Sequence, residues 1–200
     1  LQGDSNGLYN MGMCYMNGYG CKLDRDLALN AFRTAAEKGH PEALNNIGGF
    51  YRDGNIVRRN LALAAQFFEK SAALGNAYGQ LNLALALLRG EGVAKDERRA
   101  VELLRESVGQ SNAEAMNALG MCYYIGSACE KSYDEAMRYY KMSASLGFAP
   151  AMENIAACYE HGHGCKRSKQ QSVVWRVRAQ AARGDRKAMV WLEKNGYSAL

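Results

Sequence analysis

Proline is nearly missing from this sequence, with two among 200 residues, and histidine is barely commoner, with three. Two of the three histidines are near neighbours, His161 and His163, so an ordinary Ser-His-Asp set has little to draw on. GxSxG, HExxH and Walker-type loops are also absent. Catalysis is therefore not expected, and no cofactor is. Long hydrophobic runs are lacking too: the most apolar stretch, LNLALALL at 81 to 88, falls far short of the ~20 residues that cross a bilayer. No basic, apolar leader with a small-residue cleavage site precedes the first periodic segment, and LQGDSNGLYN reads as entry into an already running pattern, which leaves the compartment open. The net charge of +5 is mild, but residues 166 to 187 hold eight Lys or Arg against one Asp, so basic character gathers at the C-terminal end.

What is present is repetition. CYEHGHGCK at 158 to 166 copies CYMNGYGCK at 14 to 22, and a period of 36 runs through the whole chain. Gly18, Gly54, Gly90, Gly126 and Gly162 mark it, as do Tyr15, Tyr51, Leu87, Tyr123 and Tyr159. Apolar residues recur at three and four spacing on both sides of these glycines, so each unit reads as two amphipathic helices, A and B, around a short loop. Asp24, Asn60, Asp96 and Ser132 cap helix B, the last with Glu135 as a predicted capping box. An alanine column, Ala28, Ala64, Ala100 and Ala136, is expected to sit closely against the helix A column Gly12, Gly48, Ala84, Gly120 and Ala156. Helix B stops at Gly39, Gly75, Gly147 and Gly184, and the two prolines, Pro41 and Pro150, fall in first turns of helix A. The fifth unit carries one extra residue between Cys165 and Gly184.

These features predict an all-α fold: a right-handed α-solenoid of five antiparallel helix pairs, forming a single repeat domain over 1–200. The units are 4–39, 40–75, 76–111, 112–147 and 148–184, closed by a capping segment, 185–200, whose helix runs near Lys187 to Lys194. Trp175, Trp191 and Tyr197 are expected to close the last core face. Ile56 and Ala128 stand where the second loop glycine is expected, and Ser111 where helix B of the third unit should end in glycine.

The string A-x-x-x-(L/I/M)-(G/A)-x-x-Y-x-x-G-x-G-(V/C), seen in MGMCYMNGYGC and LRGEGV, resembles the Sel-1-like repeat, a 36-residue relative of the tetratricopeptide repeat. The resemblance implies that helix A lines a concave face and that the chain is a non-catalytic scaffold or adaptor for a protein or peptide partner, in signalling, secretion or folding quality control. On that helix stand Asn10, Asn46, Asn82 and Asn154, and one turn on Met13, Leu85 and Met121. Asparagine can meet both polar groups of an extended peptide backbone, while the apolar stripe suits a partner's side chains. The alternative is that Asn, common at this position in the family resembled, bonds only between adjacent helices.

All six cysteines fall in two repeat columns, as Cys14 with Cys21, Cys122 with Cys129, and Cys158 with Cys165. They come or go together, which is the behaviour of disulfide pairs and would favour an oxidising compartment, periplasmic, secreted or lumenal. Reduced cysteines acting as small buried hydrophobes are the alternative, with a cytoplasmic location. Cys158, His161, His163 and Cys165 supply four zinc-type ligands, yet the first and fourth units keep the cysteines with Asn17, Tyr19, Ile125 and Ser127 at the histidine positions. No metal is expected, and the two histidines are read as solvated loop residues. The basic edge, Lys166, Arg167, Lys169, Arg176 and Arg178, is read as a solvated end or as a contact for an acidic protein or membrane surface. Nucleic acid is not expected, because its helical-repeat readers spread basic and variable polar residues along the groove. Membership of a longer repeat array is the rival structural role.

Overall fold

The computed structural model describes residues 4–198. Among them are eleven α-helices and no strand. The A helices are α1 (Ser5–Asn17), α3 (Pro41–Asp53), α5 (Ala77–Arg89), α7 (Ala113–Ile125) and α9 (Ala149–His161). The B helices are α2 (Arg25–Glu37), α4 (Leu61–Ala73), α6 (Glu97–Gly109), α8 (Tyr133–Ser145) and α10 (Lys169–Ala182), and α11 (Arg186–Lys194) closes the series. Nine of the ten repeat helices have 13 residues; α10 has 14, so the extra residue of the fifth repeat is taken up inside a helix. No described helix is long and apolar enough to cross a membrane. The fold is an α-solenoid, and its residues group into two compact units, Leu1–Ser107 and Val108–Leu200.

Each helix pair is closed by the same local bonds. The amide of the helix B cap residue donates to the carbonyl of the tyrosine column: Asp24 to Tyr15 at 2.9 Å, Asn60 to Tyr51 at 2.8 Å, Ser132 to Tyr123 at 2.9 Å and Ser168 to Tyr159 at 2.9 Å. The cap side chains in turn accept from the first helical turn, as Asp24 Oδ1 does from Leu27 and Ser132 Oγ from Glu135. The predicted capping box is only half made. The Ser132 amide is already spent on Tyr123, and the Glu135 carboxylate turns to the Arg138 guanidinium at 2.8 Å.

Packing within a pair is set by an aromatic ring lying over the small residue of helix A. A Cβ added at Gly12 would fall 2.7 Å from the Phe32 ring, one at Gly48 2.6 Å from Phe68, and one at Gly120 2.7 Å from Tyr140. The alanine column takes part through its backbone, since the carbonyls of Ala64 and Ala136 come within 3.2 Å of the same added atoms at Gly48 and Gly120. Where helix A has Ala84 instead, the corresponding helix B residue is Leu104. A methyl on one helix is matched by a smaller side chain on the other, which keeps the interior close-packed.

The loop between helices A and B tolerates its substitutions differently. Ala128 keeps the left-handed backbone of the second loop glycine, with φ +54°, and Ser111 holds φ +61° at the end of helix B, each a modest strain for a residue with a Cβ. Ile56 does not adopt positive φ, as its branched Cβ would clash there, and its loop runs differently.

The last core face is closed by Ala188 and Leu192 packing on Val174 and Ala181, with Tyr197 against them. Trp175 is buried in the preceding core. Trp191 departs from expectation: it is 37% exposed and stacks on Tyr197, because the spacing of α11 turns Leu192 inward in its place.

Candidate functional site

The asparagine column of helix A is knit sideways rather than left open. In the first unit, Asn82 Nδ2 donates to Asn45 Oδ1 at 2.8 Å, and Arg52 Nη1 donates to Asn82 Oδ1 at 3.0 Å, so both ends of that amide are engaged. Asn46 Nδ2 lies 4.0 Å from Met13 Sδ, a weak contact between α3 and α1. In the second unit the same bond recurs, Asn154 Nδ2 to Asn117 Oδ1 at 2.8 Å. Asn10 is exposed. Asn45, Asn117 and Arg52 were not singled out in sequence; the signal for the first two was the recurrence of Asn just before the column, 72 residues apart.

The apolar stripe lies beside these bonds. Met13 and Leu85 are half-buried, and Met121 is 49% exposed. Arg52 also pairs with Asp53 at 2.7 Å; that hydrogen bond, with the nearby charge of Arg59, holds the Asp53 carboxyl below the usual carboxylate range. Within the first unit a cation, amide groups and soft apolar side chains thus share the helix A face. Such a surface can hydrogen-bond a peptide and receive its side chains.

The basic edge is partly neutralised by its own surroundings. Arg176 pairs with Glu160, and Arg167 Nε donates to the Glu160 carbonyl at 2.9 Å. Arg178 lies over the Trp175 ring at 4.7 Å and donates to the Ser198 carbonyl. Lys166 and Lys169 are exposed.

Cys158 is buried in the last turn of α9, and the half-buried Cys165 packs against the same core beyond the loop; both are thiols in the structure, as are Cys14 and Cys21. Cys122 is buried and Cys129 half-buried, in the same relation to α7 and its loop. Burial pushes the Cys158 thiol up to about 11, with the neighbouring Cys165 adding to the rise, and Cys165 is raised by burial as well. His163 is not the solvated loop residue expected. Its ring stacks on Tyr133 with centroids 4.2 Å apart, and its Nδ1 shares a 2.8 Å hydrogen bond with the Tyr124 hydroxyl. His161 is exposed, 5.6 Å from it between ring centroids. Among the described residues no three His, Cys, Asp or Glu side chains gather into a set that could hold a metal ion.

Comparison with known proteins bears on this geometry. Among curated proteins none matches the chain significantly. Among solved structures, a protective antigen of uropathogenic Escherichia coli strains with an SLR fold is 29% identical over 96% of this chain, with a TM-score of 0.75. The chain spans 42% of that protein's length. A Sel1 repeat protein of Oxalobacter formigenes is 24% identical over 93% of this chain and 74% of its own, with a TM-score of 0.83. One from Klebsiella pneumoniae is 22% identical over 96% and 93% respectively, with a TM-score of 0.62. The Sel1 repeat itself is matched five times, at residues 5–40, 41–76, 77–111, 113–148 and 149–175. With those matches running along the same helix pairs that the tyrosine carbonyls close, the chain belongs to the Sel1 repeat family.

Proposed function

We propose that this chain is a non-catalytic scaffold that binds an extended peptide segment or a small partner domain on its helix A face. Sel1 repeat proteins are generally protein-interaction scaffolds, and the family is typically non-catalytic. The observation that carries the reading is the sideways knitting of the A helices, Asn45–Asn82–Arg52 in the first unit and Asn117–Asn154 in the second. Within each unit it holds two consecutive A helices side by side, with Met13 and Leu85 on the A helices of the first unit and Met121 on those of the second. With one bond already made at each end of the Asn82 amide, the backbone contacts fall to Asn10 and the oxygen of Asn154, while the apolar stripe takes side chains.

The test is selection of peptides on the whole chain, followed by affinity measurement. Met121→Glu should weaken selected peptides about tenfold, and binding should persist between about 0.1 and 0.5 M salt. Equal binding by Met121→Glu sinks the reading. A steep loss with salt that is reproduced by Lys166→Ala and Lys169→Ala moves the site to the basic edge.

The cysteine columns carry a second reading, in which Cys14–Cys21, Cys122–Cys129 and Cys158–Cys165 close as disulfides in an oxidising compartment. It is supported by Cys158 and Cys165 lying against the same core, with Cys165 adding to the rise of the Cys158 pKa. Their raised pKa values make uncatalysed closure slow near neutral pH, since the thiolate is the reacting form. Intact mass after alkylation, with and without reductant, on protein recovered from an oxidising host compartment should show no reactive thiols until reductant is added. Six reactive thiols without reductant would end this reading and favour a cytoplasmic location.

A further inference from the structure

The first unit carries an open furrow on its helix B side, of about 720 Å³. Its floor is Leu44 and Ile47 of α3, its walls Phe67 and Leu74 of the α4 side, and its rim carries Arg33 of α2 and Lys70 of α4. A second cleft, about 550 Å³, adjoins it through Arg33 and adds Arg58 and Arg59. Glu37 is the one carboxylate lining either cleft, so four cations face one anion over an apolar floor.

One repeat further on, the same furrow is bridged. There Gln80 Nε2 donates to Glu106 Oε2 at 2.7 Å, and Arg99 pairs with Glu69 across α4 and α6 at 2.6 Å. Thirty-six residues earlier the four positions hold Leu44, Lys70, Leu63 and Arg33. Leucine can make neither bond, so Lys70 and Arg33 are each left without the counterpart of that bridge. The repeat architecture that closes the next furrow therefore leaves this one open, apolar below and positive above.

We propose that this furrow is a docking site for a partner peptide presenting a bulky apolar side chain flanked by carboxylates. The apolar side chain replaces solvent against Phe67 and Leu74, above the buried Leu44 and Ile47, and the carboxylates meet Arg33, Lys70 and Arg58, which gives the site its selectivity. The site is separate from the helix A face and does not depend on it.

The probe is a fluorescent peptide, Gly-Glu-Asp-Leu-Phe-Glu-Asp-Gly, titrated onto the whole chain in about 0.1 M salt. Counterparts carry Lys at each acidic position, or Ser at the two apolar ones. The acidic apolar peptide should bind at least about tenfold more tightly than either counterpart. Arg33→Glu with Lys70→Glu should reverse the preference toward the Lys peptide; both positions are exposed, so the fold is not at stake. Met121→Glu should leave this binding unchanged. No binding of the acidic peptide, or binding indifferent to the charge reversal, overturns the proposal. So does sedimentation showing that the chain instead pairs with a second copy through this furrow, becoming monomeric in the double variant.

Discussion

Gly92→Ala should destabilise the first unit by about 3 kcal/mol or more, the largest effect expected of a methyl group added at any of the described glycines. Two costs combine. Gly92 sits at φ +73°, where a Cβ carries roughly 1 to 2 kcal/mol of strain. The added Cβ would also lie 2.0 Å from the Leu61 carbonyl oxygen and 2.6 Å from the Ala62 amide nitrogen, both backbone atoms in the first turn of α4. Backbone cannot swing aside as a side chain can, so the loop after α5 and the start of α4 must separate. Gly20 is the control, because it has nearly the same φ, +70°, and nothing within 4 Å of an added Cβ. Gly20→Ala should cost only the strain, about 1 to 2 kcal/mol. Urea unfolding followed by circular dichroism compares the two. If Gly92→Ala is no worse than Gly20→Ala, the loop does not bear on α4 as described. The consequence reaches function, since the junction between the second and third repeats also sets the spacing across which Asn45 and Asn82 bond.

Gly12→Ala should reverse sign with its partner. In the native chain the atoms nearest the added Cβ belong to the Phe32 ring, at 2.7 to 3.0 Å, and that ring is fully buried, so the overpacking should cost about 1 to 3 kcal/mol. With Phe32→Leu already in place the ring is gone, and the same substitution replaces a helix-interior glycine by alanine, which favours the helix by about 1 kcal/mol. The third repeat already uses that combination, Ala84 with Leu104. A double-mutant cycle in thermal or urea unfolding should therefore give a coupling of about 2 kcal/mol or more. Additive effects would mean that the ring over Gly12 does not govern the closeness of α1 and α2. Phe32→Leu alone loses the ring contacts with Tyr9 and Phe50, so the cycle, not the double variant's absolute stability, is the decisive quantity.

Much of the fold is legible in the chain because its determinants are local and periodic. The 36-residue recurrence of Gly18 and its counterparts, the caps at Asp24 and Ser132, and the three-and-four apolar spacing each act within a turn or two, and five copies make the pattern unmistakable. The candidate site was legible only as positions. That Asn10, Asn46, Asn82 and Asn154 share one helix face follows from the period; that Asn82 is spent between Asn45 and Arg52 depends on side chains 37 and 30 residues away. His163 shows the same limit, since a loop histidine looks solvated until Tyr133 and Tyr124 of neighbouring elements are brought against it.

The sequence by itself determined the repeat length, the two helices of each unit, their caps and the family. These rest on hydrogen bonds and steric preferences between residues close along the chain. Only the tertiary structure decided which polar groups on the A helices remain available, which rings come together, and which furrow between B helices stays open. Those outcomes turn on a few side chains of adjacent repeats, Leu44 for Gln80 and Lys70 for Glu106 among them, whose meeting depends on how the repeats stack.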